Sequence, residues 1–294
     1  SLSESAGSKN SCHRAGVTLV ARLYCNHKDV RALPVKYNLP MKSCHRQGII
    51  LKILFDLWVF AVIATPIALW IWDDRAKVVM ISIGVLIQFF LVAYIFWVKT
   101  NTRTLLKVLL PLLASAWAIE MIGVSTGLPF GRYSYTQALQ PQLLGVPLLI
   151  PLAWVMMLPP AWEIAARVFA GRNAPHPFVA RLGRSGIAAL AFTAWDLFLD
   201  PQMVSWGFWV WETPGHYFGI PLVNYLGWFG VAFVLSVFLM PDKMEMGANF
   251  LVYGITWILT SIGQILFWNL WQPGIVGFLS MGGLISWAHF SRRK

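Results

Sequence analysis

Residues 78–98 read VVMISIGVLIQFFLVAYIFWV, without one charged side chain. A helix needs roughly 20 mainly apolar residues to cross a bilayer. Helices and closed barrels are the only structures that satisfy every backbone N–H and C=O inside hydrocarbon. This stretch is long enough by itself and too long for an ordinary strand, so it predicts a spanning helix. Seven more stretches of the same character follow outward from it: 49–72, 105–124, 143–166, 185–204, 222–240, 249–270 and 273–290. The expected fold is all-α, a polytopic transmembrane helical bundle of about eight spans. Composition agrees, with 57% hydrophobic and 12% charged residues in 294, far too apolar for a soluble domain of this size. Pro147, Pro151, Pro159 and Pro160 predict a kinked or partly broken fourth span. Gln272-Pro273-Gly274 predicts a tight turn between the last two spans.

The formal net charge is +11. The basic residues sit mainly in loops and tails, where cytoplasmic loops and anionic lipid favour them, which sets nucleic acid aside as a partner. Lys42 and Arg46 precede the first span. Lys99, Arg103 and Lys107 follow the second, Arg167, Arg172, Arg181 and Arg184 follow the fourth, and Arg292-Arg293-Lys294 ends the chain. With eight spans all four regions fall on one side. The expected location is the bacterial cytoplasmic membrane, with both termini cytoplasmic and the loops 125–142 and 205–221 together on the far side.

Residues 1–40 differ from the rest. They are polar, lack a sustained apolar period and hold Cys12 and Cys25. The segment reads as a disordered or non-native extension, with Met41 as the natural start and 41–294 as a single integral-membrane domain. The sequence SCHR occurs at 11–14 and again at 43–46. Adjacent Cys-His pairs lack the spacing of a zinc site, and no metal site is expected.

The chemistry is expected in 195–228, WDLFLDPQMVSWGFWVWETPGHYFGIPLVNYLGW. Asp196 and Asp200 stand four residues apart inside an apolar span and share one helix face. Carboxylates in hydrocarbon are costly and usually mark a working site. Two of them in a low dielectric cannot both ionise cheaply, so one is expected to keep its proton and an acid and a base come from one residue type. The alternative is a structural role for both, hydrogen-bonding to neighbouring helices or capping the broken backbone after Pro201. Glu120 closes the third span, where it is either a third acid of the site or a helix-end residue. Arg132 is placed to neutralise an acid. Tyr133 and Tyr135 either donate hydrogen bonds into a pocket or belong to an aromatic belt. Trp206, Trp209 and Trp211 lie in an aromatic-rich outer loop beside the acids and read as a pocket wall, whose ring faces stabilise a cation. His216 and Asn224 are the polar groups placed to position a water. Glu212 also falls in the outer loop. Glu163 is expected to pair with Arg167 one turn on.

Several signatures are missing. The sequence holds no G-x-x-x-x-G-K-[ST], no G-x-G-x-x-G, no HExxH and no histidine cluster, so nucleotide, flavin, zinc and di-iron chemistry lack support and no cofactor is implied.

Four ordered motifs carry a family resemblance: EMIGVSTGLPFGRYSY at 120–135, GVPLLIPLAW at 145–154, DLFLDP at 196–201 and YFGIPLVNYLGWF at 217–229. Together they resemble the integral-membrane carotenoid 1,2-hydratases, the CruF group, over roughly 50–290. That family takes in bacterial γ-carotene 1′,2′-hydratases and haloarchaeal bisanhydrobacterioruberin hydratases. The basic balance of this chain is unlike an acid-rich haloarchaeal surface and favours the bacterial branch.

The resemblance implies water addition to the terminal C=C bond of an acyclic carotenoid, of γ-carotene or lycopene type, giving a tertiary 1-hydroxy-1,2-dihydro end. Asp196 is expected as the proton donor, with Asp200 and Glu120 orienting water or accepting the proton; the acid and base labels are exchangeable. Arg132, Tyr133, Tyr135, Trp154, Trp206, Trp209, Trp211, Tyr217 and Asn224 are expected at the substrate. Partners are the carotenoid, water, membrane lipid and other enzymes of the same synthesis. The competing readings are a proton-coupled transporter of lipid or small molecules and a carotenoid-binding scaffold without chemistry.

Overall fold

The computed structural model describes residues 41–170, 176–242 and 247–291, and each of the eight apolar stretches contains a helix there. The expected extension 1–40, with Cys12 and Cys25, lies outside the described residues. So do Arg172 and the terminal Arg292-Arg293-Lys294. The helices are α1 (Met41–Trp72), α2 (Asp74–Lys99), α3 (Thr102–Thr126), α4 (Leu149–Val168), α5 (Pro177–Ser205), α6 (Leu222–Leu239), α7 (Ala248–Leu266) and α8 (Trp271–Ser291). The chain divides into two units, Ser1–Ile53 and Leu54–Lys294. In the first, the described residues form the opening turns of α1. The second holds all the other elements.

Seven of the helices are long and apolar enough to cross a membrane. The remaining one, α5, is long enough but is diluted by Arg181, Arg184, Asp196, Asp200 and Gln202. The chain is an integral membrane protein, and its most polar helix is the one that carries the two aspartates. The central helix is α4: 83% of its apolar stretch is buried, where the other six candidate spans bury between 22% and 39%. It packs against α2, α3, α5, α7 and α8. Elsewhere large apolar side chains such as Phe60, Leu226 and Phe238 are exposed, as lipid contact requires.

Prolines inside the helices leave carbonyls without an intrahelical donor, and long side chains supply two of the replacements. Pro160 frees the carbonyl of Met156, which accepts from Gln88 at 3.4 Å. Pro201 frees that of Leu197, which accepts from Tyr217 Oη at 3.1 Å. Both helices therefore run on through their prolines, α5 as far as Ser205. At the opposite end of α5, Arg181 donates to the carbonyls of Val237 and Met240 and pairs with Asp242, satisfying the last turn of α6 with a cation. The expected Glu163–Arg167 pair is present at 2.8 Å.

Several features differ from expectation: α1 starts at Met41 and α5 at Pro177, each ahead of the expected 49 and 185, so Lys42, Arg46, Arg181 and Arg184 lie within helices and not in loops. The stretch at 142–147 is a hairpin of β2 (Gln142–Leu143) and β3 (Val146–Pro147), so α4 starts at Leu149. Leu144 and Gly145 both have positive φ, the geometry of a type I′ turn, which ends any helix. The break between α7 and α8 falls at 267–270, ahead of the expected Gln272-Pro273-Gly274. Pro273 lies in the first turn of α8, where its missing N–H leaves nothing unpaired. Finally, the two outer loops pair with each other. β1 (Tyr133–Tyr135) runs antiparallel to β4 (Trp209–Trp211), with Tyr133 opposite Trp211 and Tyr135 opposite Trp209.

Candidate active site

The β1–β4 ribbon covers the ends of α3 and α5. Side chains alternate across a strand, so Tyr133, Tyr135, Trp209 and Trp211 point to one face while Ser134 and Val210 are exposed. The inward four pack edge-on or tilted, with ring centres 5.5–5.8 Å apart. The ribbon and the loop that precedes it come close to the helices at two glycines. A Cβ on Gly123 would lie 2.8 Å from Tyr133 Oη, and one on Gly227 would lie 2.7 Å from the carbonyl of Pro129.

Glu120, buried near the end of α3, is held by three donors. Tyr133 Oη and Tyr135 Oη donate to Oε2 at 2.6 and 2.8 Å, and Trp154 Nε1 donates to Oε1 at 3.1 Å. Burial, and after it the Glu120 carboxylate, holds the Tyr133 and Tyr135 hydroxyls far above the ordinary phenol range. Both stay protonated and donating at any working pH.

Asp196 and Asp200 meet on α5 at one amide. Asn224 of α6 donates to Asp200 Oδ2 at 2.5 Å and to Asp196 Oδ2 at 3.3 Å. Trp209 Nε1 donates to the other oxygen of Asp200 at 3.2 Å. Asp196 Oδ1 is buried without a partner. All three residues of the amide bridge are at most 2% exposed.

Between Glu120 and Asp200 lies a cavity of about 20 Å³, the room of a single water. Its wall includes Tyr133, Tyr135, Trp154, Trp209, Trp211 and Asn224. Asp196 is not on that wall; it stands behind Asp200 on the shared amide. Through Ile150, Ala153, Leu199 and Trp209 the cavity adjoins a second, mostly apolar chamber of about 160 Å³ bounded also by Trp58, Trp195 and Phe198.

Other expected residues stand apart. Arg132 is exposed and makes no ion pair with any of the three acids; its aliphatic stem packs over Gly127 instead, so it does not neutralise them. Trp206 lines the larger chamber and meets Trp268 at 5.3 Å. Tyr217 is not on the cavity wall; its hydroxyl supports the α5 backbone at the Leu197 carbonyl. Burial, and after it the two aspartates, pushes its hydroxyl up. Glu212 and His216 are exposed.

Sequence reading missed Trp228 and Phe130. Trp228 stacks on Trp154 at 4.7 Å and on Phe192 at 5.1 Å and closes the small cavity. Its signal was available: it follows Asn224 by four residues and shares its helix face, the same spacing that drew attention to the aspartates. Phe130 lies in an irregular loop, where no period marks it.

The sequence profile of a family described as carotenoid biosynthesis protein matches residues 77–284. The chain is also similar to bisanhydrobacterioruberin hydratase of the haloarchaeon Haloarcula japonica, with 35% identity over 114 residues. That alignment spans 38% of this chain and 37% of the relative. No solved structure matches the chain.

Proposed function

Because the chain belongs to the carotenoid biosynthesis protein family, we propose that it hydrates the terminal C=C bond of an acyclic carotenoid end group to a tertiary alcohol. The observation that carries this reading is a water-sized cavity with an acid on each side, adjoining an apolar chamber. Hydration of a trisubstituted alkene needs a proton donor, a means of stabilising a tertiary cation, one water and a proton acceptor. The cavity and its walls supply each.

Asp200 takes the role of proton donor, since it lies on the cavity wall and Asp196 does not. The proton goes to C2, and the π electrons form the new C–H bond. The positive charge is left on C1, the more substituted carbon. The ring faces of Trp154, Trp228 and Trp209 surround that charge, and a cation over a dry aromatic face gains about 2 kcal/mol or more. A water beside Glu120 adds to C1. Glu120 faces three donors, the arrangement of an ionised carboxylate, and takes the extra proton. A proton passing back from Glu120 to Asp200 through water in the cavity closes the cycle. Asp196 is a positioning residue, fixed with Asp200 on the Asn224 amide. The basic loops are assigned to the cytoplasmic face of a bacterial membrane, which puts the ribbon and the acids in the outer leaflet.

Expression of the full chain in cells that accumulate lycopene or γ-carotene tests the reading. Extracted pigment should gain one water per acyclic end, with the oxygen label of H₂¹⁸O. Unchanged pigment bound to well-expressed protein would instead support the scaffold, and pigment moved across vesicles without chemical change would support the transporter.

A further inference from the structure

The apolar chamber is too small for a long substrate. A cavity of roughly 150 Å³ holds one benzene, so about 160 Å³ accommodates little more than one branched five-carbon end. The rest of a long chain has to leave the chamber elsewhere. At Val62 and Trp268 the chamber shares its wall with a groove of about 630 Å³. The groove runs between the later halves of α1 and α7, and its lining is apolar apart from Asp73. Several of its side chains, including Ile67, Trp70 and Phe267, are exposed on membrane-spanning helices or their ends. No basic side chain lines it, so a phosphate headgroup finds no counter-charge there. Gly263 allows the Trp268 ring to lie against α7, since a Cβ there would stand 2.6 Å from the ring.

We infer that the α1–α7 groove binds the extended hydrocarbon body of the substrate, and that Val62 and Trp268 form the collar through which its end group passes from the bilayer into the chamber. This rests on the proposed hydratase reading and adds to it a binding site and a direction of approach. The occupant is an extended isoprenoid polyene, held by contact area and not by polar recognition.

The experiment has two readouts on the full chain in polyene-accumulating cells: hydrated product, and polyene retained on the detergent-purified protein, seen by its visible absorption. Val62→Trp plugs the collar. Ile262→Trp narrows the groove from an exposed position and spares the fold. Val234→Trp on the exposed face of α6 is the control, and all must elute as wild type by size exclusion. The groove variants should lose at least tenfold in both readouts, and the control neither. Equal hydration by wild type and both groove variants would overturn the groove and leave the hydratase standing. A wild type that retains polyene without hydrating it, while the groove variants retain none, would remove the hydratase and keep the groove. Purified protein that carries only phospholipid in every variant would overturn the groove as a polyene site.

Discussion

Asn224 donates to Asp200 at 2.5 Å and so ties α6 to α5 at the level of the site. The same nitrogen reaches Asp196, which makes one amide the geometric centre of a buried carboxyl pair. Replacing it with Leu removes the amide donor from Asp196 Oδ2 and Asp200 Oδ2 and leaves both buried oxygens without it. Leaving a buried polar group unmade costs about 1–3 kcal/mol. Asn224→Leu should lower the thermal midpoint in detergent and abolish product. Asn224→Gln, which keeps the amide but shifts it by one methylene, should recover stability more than activity. Equal recovery of both would show that the amide serves only the fold.

The two aspartates should separate under substitution. Asp200→Asn removes the proton donor on the cavity wall, and loss of a general acid costs typically 10²–10⁴ in rate. Asp196→Asn keeps Asp200 in place and offers it an amide neighbour, so a smaller loss, about 10-fold, is expected on the same scale. Product formed per unit of purified protein decides this. The reverse order would return the donor role to Asp196.

The helices were legible in sequence because lipid imposes a length and a polarity that few other environments do. α2 is recognisable from residues 78–98 alone. The aspartates were legible because charge is rare in such segments, and Asn224 because it is polar on an apolar helix. The pairing of β1 with β4 was not legible. It joins residues about 75 positions apart through three-residue strands, too short for an alternating pattern to stand out from a belt of aromatics. Arg132 misled for a related reason: sequence places it near Glu120 along the chain, but the strand that starts at Tyr133 turns that face inward and leaves Arg132 outside. The shift of Asp196 behind Asp200 depends on where the ribbon lies, so spacing along α5 could not show it.

The Glu120 cage gives a graded series. Tyr133→Phe and Tyr135→Phe each remove one of the two donors on Oε2. A hydrogen bond to a charged group is worth about 1.5–3 kcal/mol, so each variant should lower turnover by roughly 10-fold or more, with little change in retained polyene. The double variant should fall by less than the product of the two, because both act through one oxygen. Fully multiplicative losses would mean that the two phenols act on different steps.

Gly123→Ala tests the packing that delivers Tyr133. The new methyl group would lie 2.8 Å from Tyr133 Oη and 2.9 Å from the Phe130 ring. It touches no acid. The phenol must move or rotate away from Glu120, so turnover should drop to the level of Tyr133→Phe while the helix itself gains slightly from Ala in place of Gly. Gly227→Ala is expected to be harsher, because its methyl would meet the backbone carbonyl of Pro129 at 2.7 Å, which cannot swing aside as a side chain can. That variant should lose both product and thermal stability. Combining Gly123→Ala with Tyr133→Phe separates the two effects. If the methyl acts by displacing the hydroxyl, the double variant loses no more turnover than Tyr133→Phe alone. A further tenfold loss would show that Gly123→Ala disturbs Phe130 and the cavity wall independently of the hydrogen bond to Glu120.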